Sequence, residues 1–144
     1  MTTQTDHTEI ALLVSRFFRA LDERKFAPGW ADGYVTDDVR MVAPVGVYEG
    51  PAAVRGTEEA IGRFARTQHM SSDLLTDIDE ASGTAHASWN ALMVHVHHED
   101  PDPLFTVGGR YDTELRRTDE GWRISRMSVE AVWTTGRPPV LPSA

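Results

Sequence analysis

The apolar residues of this chain change their period partway along it, from 3.6 to 2, and that switch limits the fold more than any motif does. Ile10, Leu13, Val14, Phe17, Phe18 and Leu21 recur at i, i+3, i+4, i+7, i+8 and i+11, the spacing of an apolar stripe on an α-helix. The spacing predicts a helix over about 7–24, with Ser15, Arg16, Arg19, Glu23 and Arg24 on its other side. Asp6 and Glu9 stand at capping-box spacing near its start. Pro28-Gly29 breaks the chain, and a short second helix is predicted over about 28–34. Val39 to Val47 reads as a strand and a turn, with Pro44 and Gly46 limiting its regularity. Thr57, followed by Glu58 and Glu59, reads as the N-cap of a third helix ending near Arg66.

Beyond that point the alternation is two-fold. It predicts strands over 69–78, 84–97, 104–117 and 122–133, separated by turns at Asp79–Gly83 and Thr118–Gly121 and by a Pro-rich loop at 98–103. On the second of these Ala85, Ala87, Trp89, Ala91, Met93 and His95 share one face; on the third Phe105, Val107, Gly109, Tyr111, Thr113 and Leu115 do. Helices followed by a run of antiparallel strands make an α+β chain rather than an alternating βαβ one. Three helices cannot cover both faces of such a sheet, so it is expected to curve around them. Gly108-Gly109 mid-strand is a candidate bulge for that curvature. At 144 residues one domain is expected, with a surface tail over 134–144.

Fourteen Lys and Arg against 22 Asp and Glu give a net charge of −8 with no basic cluster, which argues against nucleic acid and anionic membrane surfaces. No cysteine is present, which removes disulfides, thiolate nucleophiles and Cys-bound metals and fits a reducing cytoplasm. The first residues carry neither a basic nor an apolar segment of signal-peptide type, and no apolar run reaches membrane-spanning length. There is no phosphate-binding glycine loop and no Gly-x-Ser-x-Gly elbow.

Several segments, in this order, resemble the SnoaL-like branch of the nuclear transport factor 2-like superfamily. They are Ala20-Leu21-Asp22-Glu23-Arg24, Tyr34-Val35-Thr36-Asp37-Asp38-Val39, Tyr48-Glu49-Gly50, Thr67-Gln68-His69-Met70 and Arg117-Thr118-Asp119-Glu120-Gly121-Trp122-Arg123-Ile124. The likeness covers about residues 7–133. It implies a cone-shaped curved sheet enclosing an apolar pocket, acid/base chemistry with neither metal nor organic cofactor, and a homodimer through the outer face of the sheet. The family includes scytalone dehydratase, ketosteroid isomerase, limonene epoxide hydrolase and polyketide cyclases. The expected function is therefore a cyclase, dehydratase or isomerase acting on a hydrophobic polyketide- or steroid-like small molecule, in natural-product biosynthesis, by acid/base chemistry or by holding the substrate in a reactive shape. The alternative is a non-catalytic small-molecule binding protein or dimerisation module of the same fold.

By this resemblance His69 is the general base or acid and Asp22 orients its ring; otherwise the two are a core histidine and a helix-end carboxylate. Near-neutral imidazole suits proton transfer, and a carboxylate on the ring N–H fixes the tautomer. Where dehydratase relatives carry a helix-one tyrosine, this chain has Phe17-Phe18. Tyr34, Asn90 or Arg110 is then expected to steady a developing oxyanion. Asp37 and Asp38 read as turn caps; Asp38, Arg110 and Asp112 form a loose version of the epoxide-hydrolase set. Trp30, Met41, Phe64, Trp89, Met93 and Trp133 are the expected substrate-lining residues. His95, His97 and His98 with Glu99 and Asp100 offer a weaker, metal-binding reading.

Overall fold

The computed structural model describes residues 3–43, 46–99 and 101–140. The element order is α1 (Thr3–Asp22), a 3-10 turn (Trp30–Gly33), β1 (Val35–Ala43), β2 (Gly46–Glu49), α2 (Pro51–Gly62), β3 (Arg66–Asp79), β4 (Thr84–Val96), β5 (Leu104–Thr118) and β6 (Gly121–Gly136). The six strands form one sheet in the order β2-β1-β6-β5-β4-β3. Every pairing is antiparallel except β1 on β6, which is parallel. The sheet is therefore mixed: the chain crosses from β1 through α2 and the long meander before β6 returns beside β1.

The apolar stripe of α1 is buried as its spacing demands, with Ile10, Val14, Phe17, Phe18 and Leu21 at most 3% exposed. It lies on the alternating face of β4 (Ala85, Ala87, Trp89, Ala91, Met93), on Tyr111 and Leu115 of β5, and on Trp122, Ile124 and Met127 of β6. Each large side chain buried there contributes roughly 1.5–3 kcal/mol.

Several local expectations are corrected. Asp6 sits inside α1 and caps nothing: its carboxylate accepts the Trp122 indole N–H (3.1 Å) and pairs with Arg117 (2.8 Å). Glu9 accepts the Trp122 backbone N–H (2.7 Å), so α1 is pinned across the β5–β6 hairpin. The helix predicted from Thr57 begins at Pro51, after Gly50 at φ 57. Proline at the first turn is the start signal that fits, and Thr57 is interior, its hydroxyl bonded to Ala53 O (3.0 Å). β6 runs to Gly136, through the first residues assigned to a tail. Pro44, Asp100 and residues 141–144 lie outside the described residues. Among the described residues no helix is long and apolar enough to cross a membrane.

The register shifts between Gly108 and Gly109. A side chain at Gly109 would meet Met93 Cε at 2.8 Å and the Glu130 carbonyl oxygen at 2.9 Å. The methionine can move but the backbone cannot, so Gly109→Ala is expected to lower stability by about 1–3 kcal/mol. The exposed Trp133 ring covers Gly108 and can swing away, so Gly108→Ala should cost less. Chemical denaturation of the two variants checks the order.

Candidate active site

Asp22 is the last residue of α1 and follows the buried Leu21, so its side chain leaves the helix where α1 meets the start of β3. Thr67 and His69 stand two apart on β3 and thus share the face turned to α1. The two segments meet through the carboxylate. His69 Nδ1 lies 2.6 Å from Asp22 Oδ1, the His69 backbone N–H donates to Oδ2 (2.7 Å), and the Thr67 hydroxyl donates to Oδ1 (2.9 Å). The His69 side chain is 4% exposed and that of Asp22 16%.

Burial works to raise the Asp22 pKa, but the bonds from the His69 ring, the His69 N–H and Thr67 outweigh it and hold the carboxyl below its ordinary value. An ionised Asp22 only accepts, so Nδ1 of a neutral His69 carries the proton and Nε2 keeps its lone pair. Among the described residues nothing hydrogen-bonds Nε2.

The imidazole stands among rings. Phe18 lies 5.2 Å from it, and Phe18 also meets Trp89 edge-on (6.1 Å) and Tyr111 (5.2 Å). Trp89 stacks on Tyr111 at 5.1 Å. His95 is 6.0 Å from His69, centroid to centroid. Its Nδ1 is 3.0 Å from the Phe105 carbonyl oxygen and so carries the proton that the carbonyl accepts. Burial first, then its imidazole neighbours, hold the His95 pKa below its ordinary value. At neutral pH His95 is thus uncharged, with Nε2 as an acceptor. Burial also pushes the Tyr111 phenol up, so it stays protonated; its O–H points to Met93 sulfur at 3.6 Å. The Trp89 Nε1–H is buried with no partner among the described residues.

The other expected site residues are divided by the sheet. Asn90 and Arg110 do not join the dyad. They lie on the exposed convex face, where Arg110 Nε donates to Asn90 Oδ1 (3.3 Å) and the Asn90 amide to Asp73 (3.3 Å). Strand alternation requires this, because Trp89, Gly109 and Tyr111 point inward. Tyr34 packs on Phe17 (5.7 Å) and Trp30 (6.1 Å). Asp38 pairs with Arg116, and Asp112 with His86 (3.0 Å) and Arg126 (3.8 Å), so the Asp38–Arg110–Asp112 set does not assemble.

Met93 and Phe64 are buried, Phe64 against the rings of His95 (4.6 Å) and His97 (5.0 Å). Met41 is half-buried beside the Thr57 hydroxyl. Trp133 is 49% exposed and lies on the convex face. Trp30 stacks on Phe17 and lines a cleft of about 400 Å³ with Phe26, Val35, Val54 and Arg55; no dyad residue lines that cleft. His95 is the site residue that sequence reasoning assigned to metal rather than to the interior. Its place on the face of Trp89 and Met93 was the available signal.

Comparison with known proteins adds the family. Three solved structures share the fold at low identity. The Kfla4162 protein from Kribbella flavida is 22% identical, over 93% of this chain and 95% of that one, with TM-score 0.84. A candidate scytalone dehydratase from Novosphingobium aromaticivorans is 20% identical over 98% and 97%, with TM-score 0.81. The hexachlorocyclohexane dehydrochlorinase LinA-type3 from Novosphingobium barchaimii is 18% identical over 97% of each chain, with TM-score 0.77. No curated protein sequence matches the chain. The sequence model described as a SnoaL-like domain matches residues 2–128, and with this NTF2-like α+β cone beneath it the chain belongs to the SnoaL-like domain family.

Proposed function

We propose that the chain is a cofactor-independent lyase, isomerase or cyclase in which His69 moves a proton and Asp22 orients it. The observation that carries this is the 2.6 Å contact between His69 Nδ1 and Asp22 Oδ1, which leaves Nε2 as the basic atom. A substrate carbon acid gives its proton to Nε2, and Asp22 stabilises the imidazolium that forms. In a dehydration the C–O bond then breaks and the leaving hydroxide takes the same proton, departing as water. In an isomerisation the proton returns to another carbon of the enolate. His95, uncharged and holding its proton on the Phe105 carbonyl, has none to give at Nε2, so one imidazole both takes and returns the proton. That favours loss of hydrogen and leaving group from one face of the substrate.

The aromatic surroundings support a hydrophobic, ring-bearing substrate of polyketide or steroid type, as in natural-product biosynthesis, and the absence of cysteine is in keeping with a cytoplasmic place for the reaction. A general probe is 5-nitrobenzisoxazole, in which a base removes the ring C–H while the N–O bond breaks to a nitrile and a coloured phenolate. The protein should open it faster than free imidazole, and His69→Ala should lose that advantage. Equal rates in parent and variant would remove the assignment.

We also propose a homodimer through the convex face. Met70, Leu92 and Trp133 are 43%, 37% and 49% exposed there, and the β3–β4–β5–β6 register aligns them in one row. Light scattering should give twice the chain mass, and Trp133→Glu should halve it.

A further inference from the structure

Helix α1 stops on an arginine where a helix stop favours glycine. Arg24 has φ 54, the left-handed conformation in which a side chain is strained. Around it Lys25 N donates to Ala20 O (3.0 Å) and Arg24 N to Leu21 O (3.2 Å), which closes the last turn. Glycine would make this turn at less strain, so the side chain has to supply something that glycine cannot. Its guanidinium Nη2 donates to Ile61 O (3.2 Å) and to Phe64 O. Those carbonyls belong to the end of α2 and the turn leading into β3. Ala65 N then bonds Val96 O (2.7 Å), which begins the β3–β4 pairing that carries His69.

We infer that Arg24 is the positioning residue of the His69–Asp22 pair. The path closes on itself: Asp22 is two residues before Arg24, Arg24 holds the 61–64 turn, that turn feeds Thr67 and His69, and both return to the Asp22 carboxylate. The same turn places Phe64 against His95. One guanidinium thus fixes the register between the carboxylate and both imidazoles. Both bonds come from the one nitrogen Nη2, whose two N–H groups reach the two carbonyls of the turn. Arg24 touches no reacting atom, and its role rests on the reading of His69–Asp22 as the working pair.

Arg24→Gly separates the tether from the turn, since glycine accepts the left-handed conformation. The variant is expected to melt at or above the parent temperature. Its His69 should pass from a single Nδ1–H tautomer to a mixture by ¹⁵N NMR, and the downfield Nδ1 proton should broaden or vanish. With 5-nitrobenzisoxazole, kcat should fall by up to about 100-fold with KM little changed, the cost of a misplaced base. Arg24→Lys should recover part of the loss. Arg24→Asn, which also tolerates this conformation, serves if the glycine variant does not fold. An unchanged tautomer spectrum and rate would overturn the inference, and so would a melting temperature that falls in step with the rate. Should His69→Ala turn the probe over as fast as the parent, the catalytic reading fails, while the tautomer spectrum still decides the role of Arg24.

Discussion

Asp22→Asn is expected to abolish proton transfer while leaving the fold in place. The amide keeps the shape of the carboxylate, and its oxygen can still accept from Thr67 or the His69 N–H. Its NH₂, however, donates. Turned toward His69 Nδ1, it forces the ring proton onto Nε2, the atom that has to act as base. A wrong tautomer of this kind costs about 10⁴-fold in kcat where a carboxylate orients a catalytic histidine, and a loss of about 10³–10⁴-fold is expected here. Asp22→Ala should be inactive and also less stable, by about 3 kcal/mol. It leaves the Thr67 hydroxyl and the His69 N–H without an acceptor, at about 1–3 kcal/mol each.

The acid side of the stability curve gives an independent check. The Asp22 carboxyl is held below its ordinary 3.8, so the unfolded chain binds its proton more readily. Its stabilising effect is complete above that value and is lost as the pH falls through the lower, folded one. Denaturation midpoints of parent and Asp22→Asn should converge toward low pH. Parallel curves would mean that the carboxylate is not held as described.

The pairing of Asp22 with His69 was legible only through family resemblance, because 47 residues separate the two and no local spacing implies their contact. The first helix and the face of β4 were legible from period alone, since burial on one side writes itself directly into the sequence. Asn90 and Arg110 were misplaced although the signal was present: both alternate with residues already assigned to the interior. Trp133 was different. β6 carries two register shifts, opposite Glu114/Leu115 and opposite Gly108/Gly109. Each inserts a residue that reverses the alternation, and the two reversals cancel, so alternation counted from Trp122 and Ile124 already turns Trp133 outward; it was assigned to the lining by residue type alone. The start of α2 was missed because Thr57 is a good cap by residue type, while Gly50-Pro51 reads first as a turn. The parallel pairing of β1 with β6 depends on the whole path of the chain, which local pattern does not carry.

Trp89→Ala is expected to have the largest effect on stability, about 4 kcal/mol. Trp89 is 1% exposed, stacked on Tyr111 and edge-on to Phe18, and little in the surrounding sheet can collapse into its space. For a domain of this size that is a fall in Tm of about 10–15 °C. Trp89→Phe should cost much less than its lost volume implies. The indole N–H has no partner among the described residues, and removing an unpaired buried donor recovers about 1–3 kcal/mol. The two variants also separate packing from chemistry. Phe18 lies between Trp89 and His69, so the cavity in Trp89→Ala frees the ring that backs the base, whereas Trp89→Phe keeps it in place. Thermal melts and 5-nitrobenzisoxazole turnover should therefore fall together in Trp89→Ala and stay near parent values in Trp89→Phe, and benzene should raise the Tm of the alanine variant alone by filling its void. Equal turnover in the two variants would show that Phe18 is held by α1 itself, with Trp89 no part of the support behind His69.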